Sequence, residues 1–224
     1  MKHLKLLAAA GLVILTAVSC KKTTYEPPPA ISAISFYNAS PDAPAVSIYL
    51  NANKIQYDSL SYKGGIEYVN AYSGNREVSA YRNNEKKVYK NITLDQGKFY
   101  SAFLTGNWST AEFVLLEDSL IRPAAGKANI RFVNMSIGSP TLDLALNTGT
   151  TLVSGRAYKA NSAYTPIDGE KQYTFVIREH GTTVNKVTLP SVNLLSGHSY
   201  TIWARGIYAA TDATALGAEI VRNY

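Results

Sequence analysis

Apolar and polar side chains alternate along much of the chain, and this two-residue period predicts β-strands. Apolar positions alternate at Ile34 and Phe36, and again at Val46, Ile48 and Leu50. Turn-forming Gly, Pro, Asn and Asp residues separate such segments at roughly 8–12-residue spacing, as they do in small all-β domains. Because no long segment has a helical period, the pattern predicts an all-β fold.

The same pattern occurs twice along the chain. Residues 34–51 align without a gap on residues 130–147, so that Ile34 matches Ile130. The register continues to Tyr62 on Tyr158 and, after a short insertion, resumes with Gly97 on Gly197. A repeat of this length indicates tandem domains rather than a solenoid of short units. We therefore predict one domain over residues 31–122 and a second over 126–224.

Each repeat has room for about seven short strands, which is the size of an immunoglobulin-like domain. We predict two tandem Ig-like antiparallel β-sandwiches. The chain has a single cysteine, Cys20, so a disulfide between the two sheets of either sandwich is excluded.

The first nineteen residues are typical of a signal peptide. Lys2 and Lys5 precede an apolar run of about 13 residues, which is too short to span a bilayer. The run ends at Ala17-Val18-Ser19-Cys20, which resembles the lipobox of bacterial lipoproteins and makes Cys20 the predicted lipidation site. An ordinary secretory signal followed by an incidental cysteine is the alternative.

Residues 20–30 form a predicted tether. Its three prolines, Pro27 to Pro29, favour an extended, semi-rigid conformation. By resemblance to lipoprotein sorting in diderm bacteria, the lack of an aspartate after Cys20 favours the outer membrane. The lipid anchor would make the membrane a partner, and the sequence does not indicate in which leaflet the anchor lies.

The segment from Phe36 to Leu50, which contains Ser-Pro-Asp-Ala-Pro, is the most specific motif of the chain. With a later Gly-Lys-Phe-Tyr and the junction at residues 123–132, it resembles the tandem family called domain of unknown function 4397. The resemblance implies an all-β fold in secreted or lipid-anchored bacterial proteins, without an assigned activity. This chain departs from the family pattern at Ser47, where aspartate is usual, although the second repeat keeps Asp143.

The sequence gives no pattern for catalysis, metal binding or a cofactor. His180 and His198 lie beside glycines in turn-like segments, and zinc needs three or four converging ligands. No nucleophile motif accompanies a base. The formal charge of +6 in 224 residues is too evenly spread for nucleic-acid binding. We predict no enzyme activity, no metal, no cofactor and no nucleic-acid partner.

Aromatic residues are the main candidates for ligand binding, since 16 tyrosines and two tryptophans are many for two small domains. Exposed rings stack on sugars and give contact area at low entropic cost. We single out Trp108 in a loop, Tyr37 and Tyr49 on outward strand positions, and Asp42 in the Ser-Pro-Asp-Ala-Pro loop. The alternative is that tyrosines simply cover sheet faces.

Two Asp-Ser-Leu tripeptides resemble acceptor sites of some bacterial O-glycosylation systems, which makes Ser59 and Ser119 candidate glycosylation sites. Together these patterns predict a non-enzymatic, lipid-anchored cell-envelope protein with a structural or interaction role, whose partner is an envelope protein or a glycan. A surface glycan-binding lipoprotein is the more specific alternative, and an enzyme is the third.

Overall fold

The protein is described by a computed structural model over residues 28–223. The predicted signal peptide, Cys20 and most of the tether lie outside the described residues. Within them the chain is all-β apart from a single 3₁₀ turn, Trp108–Thr110, and no helix is long and apolar enough to cross a membrane. The predicted fold class, two tandem β-sandwiches, is confirmed.

The first sandwich consists of two four-stranded sheets with the strand orders β4-β1-β7-β8 and β3-β2-β5-β6. This sandwich has eight strands, where the sequence predicted about seven, and the short strand β3 completes one of its sheets. The strands are β1 (Ile31–Asn38), β2 (Ser47–Leu50), β3 (Asn53–Lys54), β4 (Gly65–Tyr72), β5 (Gly74–Arg82), β6 (Glu85–Leu94), β7 (Phe99–Thr105) and β8 (Glu112–Glu117).

The second sandwich repeats this topology, with the strand orders β12-β9-β15-β16 and β11-β10-β13-β14. Its strands are β9 (Lys127–Asn134), β10 (Leu142–Leu146), β11 (Thr151–Arg156), β12 (Thr165–Asp168), β13 (Lys171–Glu179), β14 (Asn185–Leu194), β15 (Ser199–Arg205) and β16 (Gly217–Arg222). The matching strand orders explain why one sequence register links the two repeats.

One ladder in each sandwich is parallel. β1 pairs in parallel with β7, and β9 pairs in parallel with β15, whereas the other ladders are antiparallel. Alternation of side chains is the same in both kinds of ladder, so the sequence pattern had no means of distinguishing them. The first strand of each repeat is consequently an interior strand of its sheet.

The alternating residues fill the cores as predicted. Ile34, Phe36, Val46, Ile48 and Leu50 are buried between the sheets of the first sandwich. The equivalent side chains of the second sandwich, including Ile130, Phe132, Leu142 and Leu144, are buried in the same way.

A third apolar cluster joins the two sandwiches. The sheets that contain β1 and β9 face each other, and their outward side chains pack together between the repeats. Phe103 and Trp203 are fully buried there, with ring centroids 5.6 Å apart. The cluster comprises Tyr37, Ala39, Phe103, Leu116, Val133, Met135 and Trp203. The domain limits at 122 and 126 stay a prediction, because this shared core makes each sandwich part of a larger packed body.

Candidate functional site

Two of the predicted ligand-binding residues, Asp42 and Trp108, lie together in the structure. The backbone N–H of Trp108 donates a 2.8 Å hydrogen bond to Oδ1 of Asp42, so the carboxylate caps the first residue of the 3₁₀ turn. The Trp108 side chain is half-buried and packs against the first core. Both residues therefore fix the loop between β7 and β8 in place.

Tyr37 does not belong to an exposed surface. It points away from its own core, as the alternation predicts, but the second sandwich covers it and leaves it 4% exposed. Its ring lies 5.0 Å from that of Phe103 and 6.1 Å from that of Trp203. Burial raises the pKa of its hydroxyl above the ordinary value. The prediction of Tyr37 as an accessible ligand residue is wrong, because alternation gives the side of a sheet and not what covers it.

Tyr49 lies on the open outer face of the sheet formed by β2, β3, β5 and β6. Its ring is 4.5 Å from that of Tyr81 on β5. Tyr89 on β6 is 63% exposed. In the ladder Tyr49 is opposite Ser79, which is in turn opposite Tyr89. We call the surface formed by Tyr49, Tyr81 and Tyr89 the tyrosine face.

The tyrosine face has a small polar floor and a neutral ion pair. Ser79, between Tyr49 and Tyr89, is fully buried, and its hydroxyl has no hydrogen-bond partner among the described residues. Lys86 Nζ lies 5.5 Å from the centroid of the Tyr89 ring and 2.6 Å from Oε1 of Glu77. The pair neutralises both charges next to the rings.

A cleft rich in side-chain amides continues from the tyrosine face toward the start of β5. It has a volume of about 520 Å³, and its walls include Asn51, Asn75, Asn91 and Thr93. The Asn51 Oδ1 accepts a hydrogen bond from the Glu77 N–H, and the Thr93 hydroxyl donates to Asn75 Oδ1. These two bonds fix two amides, whose side-chain N–H groups have no hydrogen-bond acceptor among the described residues. We call this region the amide cleft.

The second sandwich has no equivalent of the tyrosine face. Strand alignment and pairing place Ala145, Arg178 and Thr188 where the first sandwich has Tyr49, Tyr81 and Tyr89. Sequence reasoning selected Tyr49 but missed its two neighbours. The signal that would have found them is the pairing of β2 with β5 and of β5 with β6, which places all three tyrosines on the same side.

A buried polar network crosses the contact between the sandwiches. Arg131 Nη2 on β9 lies 2.6 Å from Oδ1 of Asp118, which follows β8, and both side chains are essentially inaccessible. Arg131 also donates through Nε to Thr201 and through Nη2 to Ser101. Tyr68 donates to the other oxygen of Asp118. This network ties the end of the first repeat to the first strand of the second.

A cleft of about 600 Å³ opens beside this contact. Glu67 of the first repeat and Arg222 of the second border it, and neither forms an ion pair with another described residue. Its floor is closed by Tyr37, whose ring lies within 3 Å of where a Cβ on Gly65 would stand. A side chain at residue 65 would therefore collide with Tyr37 and disturb the contact between the sandwiches.

The arrangement of Asp143, His180 and Ser154 is the closest approach to a catalytic triad in the described chain. Asp143 Oδ1 lies 2.9 Å from His180 Nδ1, and Ser154 Oγ lies 3.2 Å from the same nitrogen. In a triad the nucleophile and the acid contact different ring nitrogens. The Asp143 carboxylate also accepts the Gly155 N–H at 2.6 Å. The hydrogen bonds among Asp143, Ser154 and His180 therefore link β10 to β11 and to the residue that follows β13.

The remaining predicted sites fall on exposed or undescribed parts of the chain. Ser59 and Ser119 are both exposed, but Asp118 beside Ser119 is held in the buried ion pair. The ring of His198 packs edge-on against Tyr200. Over residues 28–223, no three His, Cys, Asp or Glu side chains converge in a way that could hold a metal ion.

The family of the chain is decided by its sequence over the first repeat and the start of the second. A family model described as domain of unknown function (DUF4397) matches residues 32–145. The chain belongs to this DUF4397 family. The match confirms the resemblance found in the Ser-Pro-Asp-Ala-Pro segment, and it carries no assigned activity.

No curated protein matches this DUF4397 chain. Among solved structures, it is similar to the family 26 carbohydrate-binding module CBMbc of Eubacterium rectale Amy13K, solved with maltoheptaose. The TM-score is 0.27 at 12% identity, over 86% of this chain and 95% of that one. A leucine-rich repeat protein from Bacteroides thetaiotaomicron VPI-5482 gives a TM-score of 0.18 at 10% identity, over 81% of this chain and 26% of that one. Both TM-scores are low, and the fold is established by the strand order of the chain itself.

Proposed function

We propose that this DUF4397 protein is a non-enzymatic, lipid-anchored protein of the cell envelope with an interaction role. The observation that carries the proposal is the tyrosine face. Three tyrosines stand side by side on one sheet of the first sandwich, and the second sandwich has no tyrosine at the matching positions. Exposed aromatic rings on a rigid sheet suit binding, since they give large contact area and lose little side-chain freedom.

The geometry around His180 supports a role without catalysis. Asp143 and Ser154 both contact Nδ1, so a proton cannot pass from the hydroxyl through the ring toward the carboxylate. The Asp143 carboxylate is further engaged by a backbone N–H. These residues serve the packing of the second sandwich in this proposal.

The anchor is Cys20, and the predicted tether of residues 20–30 would hold the sandwiches away from the membrane surface. Acyl chains contribute about 0.8 kcal/mol per buried CH₂, so several of them hold a protein firmly. The residue after Cys20 is Lys21 and not aspartate, which favours the outer membrane by resemblance to lipoprotein sorting in diderm bacteria.

Metabolic labelling with palmitate tests the anchor. We expect the wild-type chain to be labelled and to fractionate with membranes, and Cys20→Ser to remain an unlabelled precursor. Lys22→Ala, two residues beyond the cysteine, is the matched control and should mature normally. Normal processing of Cys20→Ser would overturn the lipoprotein assignment.

Sedimentation with isolated cell envelopes tests the interaction role. The purified full-length chain, kept in detergent, should sediment with envelopes stripped of their own copy of the protein, and Tyr89→Ala should weaken this. Tyr72→Ala is the control, since Tyr72 is 62% exposed against 63% for Tyr89 but lies on the other sheet. Equal losses for the two variants, or no sedimentation of the wild type, would contradict the proposal.

A further inference from the structure

We propose that the tyrosine face and the amide cleft together form a binding site for an extended, neutral polysaccharide. The inference rests on the interaction role proposed above and gives it a ligand class. It is argued from three features of the surface: the cluster of tyrosine rings, the unused hydrogen-bonding groups beside it, and the charges around it.

The aromatic platform matches the apolar face of a sugar ring. Tyr49 and Tyr81 lie ring against ring at 4.5 Å, and both are half-buried, so their positions are fixed by the sheet. Tyr89 stands on the neighbouring strand with 63% of its surface open. The Tyr49 and Tyr81 rings are tilted by 47° to each other, so they offer differently oriented faces to successive sugar rings of an extended polysaccharide.

The amide cleft supplies donors and acceptors for hydroxyl groups. A side-chain amide offers two N–H donors and a carbonyl acceptor. The side chain of Asn91 has no hydrogen bond to another described residue, and the side chains of Asn51 and Asn75 engage only their Oδ1 atoms. Three amide groups are thus held along one cleft with their N–H groups available. Ligand sites typically combine an apolar surface with a few polar groups of this kind.

The charges on this surface argue for an uncharged ligand. Lys86 and Glu77 neutralise each other at 2.6 Å. Lys54, on the strand beside Tyr49, donates to the Tyr57 carbonyl at 3.0 Å. A polyanion would meet the carboxylate of Glu77, which lines the amide cleft together with Arg76, whereas a neutral polyol can form hydrogen bonds with the amides, the hydroxyls and these charged groups alike.

The site occurs once over residues 28–223. At the positions of Tyr49, Tyr81 and Tyr89 the second sandwich has Ala145, Arg178 and Thr188. Ala145 is fully buried and Arg178 is 6% exposed, so that face offers no ring to a ligand. We therefore expect one bound saccharide segment per chain.

Affinity electrophoresis of the full-length chain in detergent is the direct test. The gels contain a soluble glucomannan, a xylan or a mixed-linkage β-glucan, and a polygalacturonate serves as the charged comparator. We expect at least one neutral polysaccharide to retard the wild type, with little effect of added salt. Retardation by polygalacturonate alone, or by no polysaccharide, would overturn the inference.

Variants locate the site. Loss of one stacked ring removes about 0.5–1.5 kcal/mol, so Tyr89→Ala should raise the dissociation constant by up to about tenfold. Tyr89→Phe keeps the ring and should bind nearly as the wild type, and Asn91→Ala should weaken binding while leaving stability unchanged. Tyr72→Ala is the control and should bind normally. An equal loss in Tyr72→Ala would place the site elsewhere.

The two proposals fail in different ways. If Tyr89→Ala lowers envelope sedimentation but no neutral polysaccharide retards the wild type, the interaction role stands and the polysaccharide is wrong. If the wild type does not sediment with envelopes and is not retarded in any gel, both are wrong.

Discussion

Arg131 and Asp118 form an ion pair that is buried between the two sandwiches, with Nη2 and Oδ1 2.6 Å apart and at most 1% of either side chain exposed. The equivalent positions of the other repeat are neutral. Ser35 aligns with Arg131. Asn223 corresponds to Asp118, because the N–H of Asp118 donates to the carbonyl of Phe99, the first residue of β7, and the N–H of Asn223 donates to the carbonyl of Ser199, the first residue of β15. Of the two matching pairs of positions at this contact, only Arg131 and Asp118 carry charges.

Removing one partner of this pair should destabilise the protein strongly. Asp118→Ala leaves the Arg131 guanidinium buried without a counter-ion, and breaking such a pair costs about 3–5 kcal/mol. Urea unfolding of the full chain is the measurement. The double variant Asp118→Leu with Arg131→Met should recover much of the loss, because an apolar pair of similar volume needs no desolvation of charge.

The exposed ion pair next to it is a matched control. Glu117 precedes Asp118 and pairs with Lys98 at the surface. Surface pairs contribute little, so Glu117→Ala should leave the urea midpoint nearly unchanged. A midpoint shift as large as that of Asp118→Ala would contradict the assignment of a buried bridge.

Alkaline pH should open the contact between the sandwiches. Burial raises the pKa of Tyr164 to about 12, opposed by the neighbouring Arg131. Burial, together with Asp118, also raises the pKa of Tyr68. An unfolded tyrosine ionises at about pH 10, so between pH 10 and 12 the folded state binds more protons than the unfolded state. The contribution of these buried hydroxyls to the free energy of unfolding is therefore fully present below pH 10, and it is lost as the pH rises to 12 and above.

Tyrosinate absorbance measures this transition. Tyrosine in water ionises near pH 10, and the buried Tyr164 and Tyr68 should ionise in a second step that coincides with loss of structure. Tyr164→Phe, which removes one of the titrating hydroxyls, should move that second step to higher pH. A single step near pH 10 in the folded protein would refute the prediction.

Glycine substitutions should separate steric from conformational cost. Gly206 has φ +85°, and a Cβ there would lie 2.4 Å from the Ala215 carbonyl oxygen. Gly138 has φ +70° with open space around it. Gly138→Ala should cost about 1 kcal/mol from the left-handed backbone alone, and Gly206→Ala clearly more. Thermal unfolding of both variants is the measurement, and equal losses would show that the backbone around Gly206 yields.

The bond between Asp42 and Trp108 should be visible in amide exchange. Asp42→Ala removes the acceptor for the Trp108 N–H, so that amide should exchange faster with solvent. The loss of a capping side chain costs about 1 kcal/mol. Asp42→Asn keeps an acceptor oxygen and should preserve most of the protection. Unchanged exchange in Asp42→Ala would show that another group caps the turn.

The sequence predicted the interior of each sandwich well and the contact between them poorly. Ile34 and Phe36 are buried as their alternation indicated, and Tyr49 faces outward as predicted. Arg131 lies between Ile130 and Phe132 and faces outward from its own core. From the alternation alone, a charged residue at such a position is expected to be exposed to solvent. The second sheet covers it instead, and alternation holds no information about long-range partners.

A sign of this contact was nonetheless present in the composition of the outward positions. Phe103 and Trp203 alternate with core residues and are too apolar for a solvated face. The tyrosine face could be recognised only in part, because the pairing that brings Tyr81 and Tyr89 beside Tyr49 depends on hairpin register rather than on local pattern.

The interior position of β1 determines how the protein would respond to mechanical load. β1 is the first strand after the predicted tether, and it is hydrogen-bonded to β4 on one side and to β7 on the other. Tension applied at Ile31 runs along the strand, so two ladders would have to shear at once instead of unzipping bond by bond. A protein fixed at its amino end and holding a polymer on its first sandwich would resist drag through the strand closest to its anchor.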